Sequence, residues 1–476
     1  MLGQALHRAR FARLGELWPL LSSSFPPDGL LLGTRPFLLS QRLVTVRRTK
    51  QRPELGNLLI VGRSGGGKGL LAVSQLLTWY NSVIVNDIKG DLFSQTAGFR
   101  SLLGPVYVLD PTGLGHAYDP LVGKTTEDAL LSSATQLTHQ AETADIFTQR
   151  ATKMLARIFV AAKRRQEAGL PYARVLLRMG LRSCVEQLQD VSPELATSFL
   201  DETLEHANLD DRFLKSAWSS LTTIMEPLLT ETVIRSLARS DFTPAEILTS
   251  PRPVTVYIRW PEQDLRTLAP LVRLLWGSLI DEMMSVHDRR AGAGCHPVLL
   301  LVDEAGRTAI PSLADHAPTV RSRGIILLLA VQSLSQLRAI YGEARAQTLR
   351  DNMDTQLYYR PTDLQTAQYI ESRLGRRSAY AYSTTEQQNG QSSASHAEQA
   401  IPLLSAQEFM LCKDDEVIGF HRSFPPFKHH RMDWREHPLL QRRRSMPAPV
   451  LPILAPLPVP HAINRSVFID PDGSSR

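Results

Sequence analysis

Cysteine is scarce in this 476-residue chain: there are three, Cys184, Cys295 and Cys412, far apart in sequence. That spacing excludes a paired zinc motif and a secreted disulfide framework, and it fits a reducing compartment. Long apolar runs are missing as well. A helix needs about 18 consecutive apolar residues to cross a bilayer; the stretch Gly324–Val331 is far shorter and reads as a buried strand. The basic residues near the start are not followed by the uninterrupted apolar core of a signal peptide. Between 124 and 250 glycine nearly vanishes, leaving Gly169 and Gly180. Charge of one sign is not in large excess either: 53 Lys and Arg face 47 Asp and Glu, a net +6. Such a balance tolerates nucleic acid without requiring it. No internal repeat is found.

What is present is ordinary soluble-protein composition, 43% hydrophobic and 21% charged, over a length that suggests two domains. The positive charge is uneven. Residues 1–52 carry nine Arg or Lys against Glu16 and Asp28. A second cluster holds Arg422, Lys428, Arg431, Arg435 and Arg442 to Arg444. Solvated surface is the plain reading of both clusters, and phosphate contact the sharper one.

Short apolar runs without polar alternation recur at 58–61, 83–85, 106–109, 254–258, 298–302, 325–331 and 357–359. They predict strands buried on both faces, hence an α/β fold with a mostly parallel sheet covered by helices. Several end in a polar or acidic residue (Asp87, Asp110, Asp303, Gln332), where such sheets place their ligands. The glycine-poor stretch 124–250 has helical spacing, as in Met154, Leu155, Ile158 and Phe159, and predicts an all-α insertion. It separates a first part of the α/β domain, 53–123, from a second, 251–440. Residues 376–400, rich in Ser, Gln, Ala and Thr, are expected as a mobile loop. Pro447 to Pro460 hold six prolines, so 441–476 is expected as a disordered, Pro-rich tail.

The most informative segment follows the first of those strands. Gly62, Arg63, Ser64, Gly65, Gly66, Gly67, Lys68 and Gly69, leading into Leu70, satisfy G-x-x-x-x-G-K. Bare glycines let backbone N–H groups crowd around phosphate oxygens, the lysine neutralises them, and the following helix adds its positive end. Gly69 stands where Ser or Thr usually offers magnesium a hydroxyl. Taken alone, the segment has a plainer alternative, a flexible turn.

Further groups turn that loop into a constellation. The strand 298–302 ends in Asp303, suited to the magnesium shell, and Glu304, suited to polarising the attacking water. Gln332 ends the next strand and can touch a γ-phosphate or the water. Arg321 and Arg323 are candidates to neutralise charge across a subunit boundary. Asp87 and Lys89 form a charged turn that can support magnesium or meet phosphate. Each has a plainer alternative: an acidic turn, a strand cap, surface arginines or a charged turn.

The set resembles the coupling proteins of type IV secretion systems. The resemblance rests on Gly62–Gly69, Trp79, Asp87-Ile-Lys-Gly-Asp91, Thr96-Ala-Gly-Phe-Arg100, Asp110-Pro111 with Tyr118-Asp-Pro-Leu121, Leu301-Val-Asp-Glu304, Arg321-Ser-Arg-Gly324, and Gln332-Ser-Leu-Ser-Gln-Leu337 with Tyr341-Gly342. It spans about residues 30–425. It implies a RecA-like P-loop ATPase with an inserted all-α domain, a homo-hexamer, and use of ATP with Mg2+. By motif position, Lys68 would bind phosphate, Asp303 magnesium, Glu304 the catalytic water and Gln332 the γ-phosphate, with Arg321 or Arg323 offered to a neighbour.

The implied task is recruiting and pumping DNA, or a relaxase–DNA complex, to a secretion channel during conjugation. DNA, single-stranded and held by its backbone, relaxase or effector proteins and channel components are the partners implied. A nucleotide-gated receptor for relaxase or effectors, and an ATPase for channel or pilus assembly, are the alternatives. Such proteins usually begin with transmembrane helices. None is found here, so either a separate membrane partner or a cytoplasmic way of working is expected, with the chain in the cytoplasm or peripheral at the inner face of the bacterial membrane.

Overall fold

A computed structural model describes residues 8–37, 40–138, 145–201, 209–307, 310, 312–386 and 392–456. The chain divides into two compact units. One comprises Met1–Val106, Leu248–Thr255 and Gly292–Pro449; the other comprises Tyr107–Ile247, Val256–Ala291 and Val450–Arg476. Among the described residues no helix is long and apolar enough to cross a membrane.

Five parallel strands form the centre of the first unit. In spatial order they are Thr355–Tyr359, Leu58–Val61, Ile325–Val331, Val298–Val302 and Ser82–Asn86. All five are buried along their whole length, as strands sandwiched between helices must be. In chain order they read fifth, first, fourth, third, second. The first strand therefore lies where the order reverses, and a crevice is expected beyond its carboxyl end. Asn57 secures its root. Its amide donates to the Ala317 and Asn352 carbonyls, both at 3.1 Å, and its oxygen accepts from the Leu327 N–H at 3.0 Å.

Antiparallel strands extend this core: Glu416–His421, Phe427–His430, Leu30–Phe37 and Ser40–Val46. Residues 1–52, read as a basic segment apart, thus supply three of the unit's strands, the third being the short Leu21–Ser22 paired with Ser40–Val46, and Leu30, Leu31 and Leu32 are fully buried. Gly33 and Pro36 within Leu30–Phe37 weaken the strand signal. Residues 1–7 lie outside the described residues. The segment 376–400, expected as a loop, instead contains strands Arg376–Glu386 and Ser392–Pro402, paired antiparallel. Pairing satisfies the backbone groups internally, so a hairpin forms without the apolar pattern a core strand needs.

The motif residues Trp79 and Arg100 prove to be internal struts. Arg100 lies on helix Asp91–Leu103, is fully buried, and donates to the Trp79 carbonyl, the Asn81 carbonyl (2.7 Å) and Thr255 Oγ1 (2.8 Å). The Trp79 indole N–H donates to the Ser82 carbonyl at 2.9 Å. Arg100→Met should destabilise the fold by about 3 kcal/mol, because it strands buried carbonyls and leaves a charge-assisted network unmade. Denaturant titration would read this as a lower midpoint; an unchanged midpoint would contradict it.

The second unit is mainly helical. Helix Ile146–Arg164, capped by the Asp145 carboxylate on the Thr148 N–H (2.7 Å), packs against Glu127–Thr138, Gly169–Met179 and Arg212–Met225, and its Met154, Leu155, Ile158 and Phe159 are buried. This unit differs in extent from the insertion expected at 124–250. It also takes helix Leu265–Arg289, which packs against Glu127–Thr138. Compactness follows contacts, and an apolar helix face far along the chain meets the bundle as well as one within it.

The proline-rich tail differs too. Residues 441–444 end the helix Pro438–Arg444. The Gly115 N–H donates to the Pro452 carbonyl (2.7 Å), the Leu454 N–H to the Gly113 carbonyl (3.0 Å), and Leu454 is buried. Proline leaves carbonyls available, and here they are used. Residues 457–476 lie outside the described residues.

In the same unit Tyr107, Phe242 and Tyr118 stack with centroids 4.9 and 5.1 Å apart. Beside them the buried Asp119 accepts from the Leu121 N–H at 2.9 Å. Burial pushes its carboxyl up to about 6. The folded state then holds a proton that the unfolded chain releases near 4, so this group's contribution to stability falls as pH rises from about 4 to about 6. Asp119→Asn should remove that slope, on the order of 2–3 kcal/mol across the window. Melting temperatures at successive pH values test it; an unaltered slope would place the proton elsewhere.

Candidate functional site

The first strand delivers its loop to the predicted crevice. The Gly62 N–H donates to the Val331 carbonyl at 3.1 Å, so the loop begins beside the end of Ile325–Val331. Gly67 has φ +108° immediately before helix Lys68–Leu76, a conformation that strains any side chain. A Cβ there would also lie 2.9 Å from Arg431 Cδ. At Gly69, by contrast, nothing lies within 4 Å of where a Cβ would stand, so there is room for water where the usual hydroxyl is missing.

Lys68 is buried, and its Nζ donates to the carbonyls of Gly62 (2.6 Å) and Arg63 (3.0 Å). Burial pushes the ammonium pKa down, while the carboxylates of Asp303 and Glu304 pull it back up. The acidic pair comes from the end of Val298–Val302. Asn86 positions it by donating to the Asp303 carbonyl at 3.1 Å. Burial, reinforced by the neighbouring Glu304 charge, pushes the Asp303 carboxyl up; the Glu304 N–H, 3.0 Å from Asp303 Oδ1, opposes this.

Glu304 has φ +50°, which costs an L-residue about 1 kcal/mol. Its carboxylate takes two cations: Lys89 Nζ lies 2.8 Å from Oε1 and Arg307 Nε 3.2 Å from Oε2. Strain of this kind clusters where a side chain must be aimed.

One cavity of about 450 Å3 joins these groups. Ser64, Gly65, Gly67, Lys68, Gly69 and Leu70 line one side, and Asp87, Lys89, Asp303 and Glu304 another. Its donor set suits a polyphosphate: a helix N-terminus, a glycine cradle and a buried ammonium. The half-buried Asp303 offers oxygen of the kind a hard divalent cation takes.

Other expected residues are placed differently. Gly62, Arg63 and Gly66 belong to the loop but do not line the cavity, and Arg63 pairs with Asp414 at 3.0 Å. The Asp87 carboxylate accepts from the N–H groups of Leu92 (3.2 Å) and Phe93 (2.7 Å), so it caps helix Asp91–Leu103. Gln332 ends its strand beside Gly62 but is not on the cavity wall. Its N–H donates to Gln336 Oε1 (3.1 Å), and Gln336 Nε2 reaches the Gly306 carbonyl (3.3 Å). Gln336 therefore couples the strand end to the acidic turn, a link that its place in a motif did not reveal.

Arg321 and Arg323 stand at the opposite edge of the sheet. They precede Ile325–Val331, whose seven residues span roughly 23 Å, and the loop lies beyond its far end. Arg321 is held by Asp354 (3.1 Å) and Glu54 (2.9 Å), and Arg323 Nη1 donates to the Thr319 carbonyl (3.0 Å). Neither reaches the cavity of its own chain. Conversely, Arg431, Trp434 and Arg435 line it, although the basic cluster containing the two arginines reads equally as surface.

A family model described as type IV secretory system conjugative DNA transfer matches residues 41–452. Protein VirD4 of Rhizobium radiobacter is 26% identical over 441 residues, covering 84% of this chain and 60% of that protein. Conjugal transfer protein TraG of Escherichia coli is 24% identical over 441 residues, covering 81% of this chain and 68% of that protein. The chain thus spans about three fifths of the length of the VirD4 protein it matches. Among solved structures, plasmid coupling protein TrwB in complex with a non-hydrolysable ATP analogue superposes with a TM-score of 0.60 at 18% identity, covering 86% of this chain and 95% of that one. At that identity the likeness is one of fold, a RecA-like P-loop architecture. With the family match spanning most of its length, the chain belongs to the type IV secretory system conjugative DNA-transfer family.

Proposed function

We propose that the chain is an ATP-hydrolysing coupling protein that recruits DNA, or a relaxase–DNA complex, and pumps it to a type IV secretion channel. The observation that carries this reading is the single cavity shared by Lys68, Asp303 and Glu304 at the carboxyl edge of five parallel strands. TrwB, which shares the fold, has been solved with ADP and Mg2+ and with an ATP analogue.

In this reading the amides of Ser64 to Gly69 cradle the phosphates, and Lys68 exchanges its loop carbonyls for phosphate oxygens. Asp303 would hold Mg2+, and the open space beside Gly69 leaves room for water in place of the usual hydroxyl. Bound there, the cation supplies charge neutralisation of the phosphates. Glu304 orients the attacking water once Lys89 turns to the phosphates. Asp87 acts by capping the helix that frames this turn, and Gln332 through the Gln336 link to the acidic loop. The assembly is a homo-hexamer at the inner face of the bacterial membrane, docked to channel components. DNA contact is made to the backbone of a single strand and is salt-sensitive.

The steady-state ATPase rate with and without single-stranded DNA tests the reading. Strong stimulation is expected. Indifference to DNA alongside tight relaxase binding would favour a nucleotide-gated receptor instead.

Because Arg321 and Arg323 stand far from their own cavity, one of them serves the next subunit. Alanine at that residue should lower turnover roughly 10³-fold or more. Mixing that variant with Lys68→Ala should restore activity above either alone, since mixed rings contain intact sites. Parental rates for both arginine variants would contradict this.

A further inference from the structure

The cavity has a wall that the phosphate chemistry leaves unused. Arg431, Trp434 and Arg435 line it, close together in sequence and outside the short motifs of the phosphate loop and the acidic pair. The short turn Trp434–Glu436 packs against helix Lys68–Leu76, the helix that starts at the phosphate lysine. Arg431 lies against the loop itself, with Nη1 3.5 Å from the Gly66 carbonyl.

The wall is held firmly. The Arg431 N–H donates to the Asp415 carbonyl at 2.8 Å. Asp433, whose side chain is 8% exposed, grips the Arg435 guanidinium with both oxygens, Nε to Oδ1 at 2.8 Å and Nη2 to Oδ2 at 2.5 Å. The Arg444 guanidinium sits over the Trp434 ring, 5.0 Å from its centroid. A planar indole backed by a cation on one face, in a cavity whose other end suits phosphate, is a stacking surface for a flat, π-rich group.

We propose that Trp434 is the shelf on which the base of a nucleoside di- or triphosphate stacks, with Arg431 and Arg435 facing the phosphate nearest the ribose. This inference rests on the nucleotide reading of the cavity and names the residues that take the end of the ligand remote from Lys68. The arginines suit that place, since a guanidinium such as that of Arg431 meets phosphate oxygens with paired donors, while Arg435, fixed by Asp433, adds positive charge. The stack adds affinity without contributing to hydrolysis.

Two probes separate the ends of the ligand: ADP, which has a base, and inorganic tripolyphosphate, which has none. Their binding to the full chain is measured calorimetrically with Mg2+. Trp434→Leu, which keeps apolar bulk but loses the π-face, should weaken ADP about tenfold, within the range of one aromatic stack, and leave tripolyphosphate unchanged. Trp434→Phe should bind ADP within about twofold of the parent, because a π-face remains. The inference is overturned if Leu and Phe variants bind ADP alike, or if Trp434→Leu weakens both probes equally, as a purely structural role would. Failure of the nucleotide reading looks different: the parent chain would then bind neither probe, or Lys68→Ala would change neither affinity.

Discussion

Replacing Lys68 by alanine is expected to abolish ATP turnover and weaken ATP binding by about 10²-fold, the loss of two charge-assisted hydrogen bonds at about 1.5 kcal/mol each. The ammonium is buried against the loop, bonded to the Gly62 and Arg63 carbonyls, and faces two carboxylates across the cavity. An incoming phosphate offers it a full charge in place of two carbonyl dipoles. Alanine also removes a positive charge that acts on Asp303, while Glu304 keeps Lys89 and Arg307, so an anionic ligand meets weaker attraction. The glycine cradle is backbone and survives, so residual phosphate affinity should remain. Binding titrations and steady-state hydrolysis measure the two effects. Normal turnover in a variant that melts at the parental temperature would remove Lys68 from the site.

Glu304→Gln is expected to separate binding from chemistry. Glutamine fills the same space and keeps the strained backbone at φ +50° in place, but it cannot take a proton from water. Turnover should fall roughly 10²–10⁴-fold, the usual contribution of a positioned base, while ATP binding persists. Binding should tighten slightly, because the variant no longer ties up Lys89, which lies 2.8 Å from the Glu304 carboxylate. Single-turnover hydrolysis beside equilibrium binding tests both halves. An unchanged rate would assign water orientation to another group; lost binding would make Glu304 a structural ion-pair partner of Lys89 and Arg307.

The parallel core was legible because its strands are continuous apolar runs, and burial on both faces leaves that signature in any order of pairing. Leu58–Val61, Val298–Val302 and Ile325–Val331 have the bounds that their apolar residues give. The antiparallel extension was not legible. Leu30–Phe37 contains a glycine and a proline, and its pairing with Ser40–Val46 supplies what its sequence does not. The hairpin from Arg376 and the docked residues near Leu454 were hidden for a related reason: backbone pairing carries no side-chain period.

Within the cavity, spacing along the chain found the loop, the lysine and the acidic pair, because phosphate chemistry fixes those residue types locally. It could not find Trp434, and it left Arg431 and Arg435 in a basic cluster open to a surface reading; all three join the cavity only through the fold. Nor could spacing tell that the Asp87 carboxylate caps a helix, or that Arg321 and Arg323 lie at the opposite end of the strands from the loop.

A crystal structure of the chain with a non-hydrolysable ATP analogue and Mg2+ tests the central claim most directly. The account predicts the triphosphate wrapped by Ser64 to Gly69, Lys68 Nζ on its outer phosphates, and Asp303 and Glu304 facing the metal and the terminal phosphate. An analogue bound elsewhere, or Glu304 still turned to Lys89 and Arg307 with no phosphate between the acidic pair and Lys68, would contradict it.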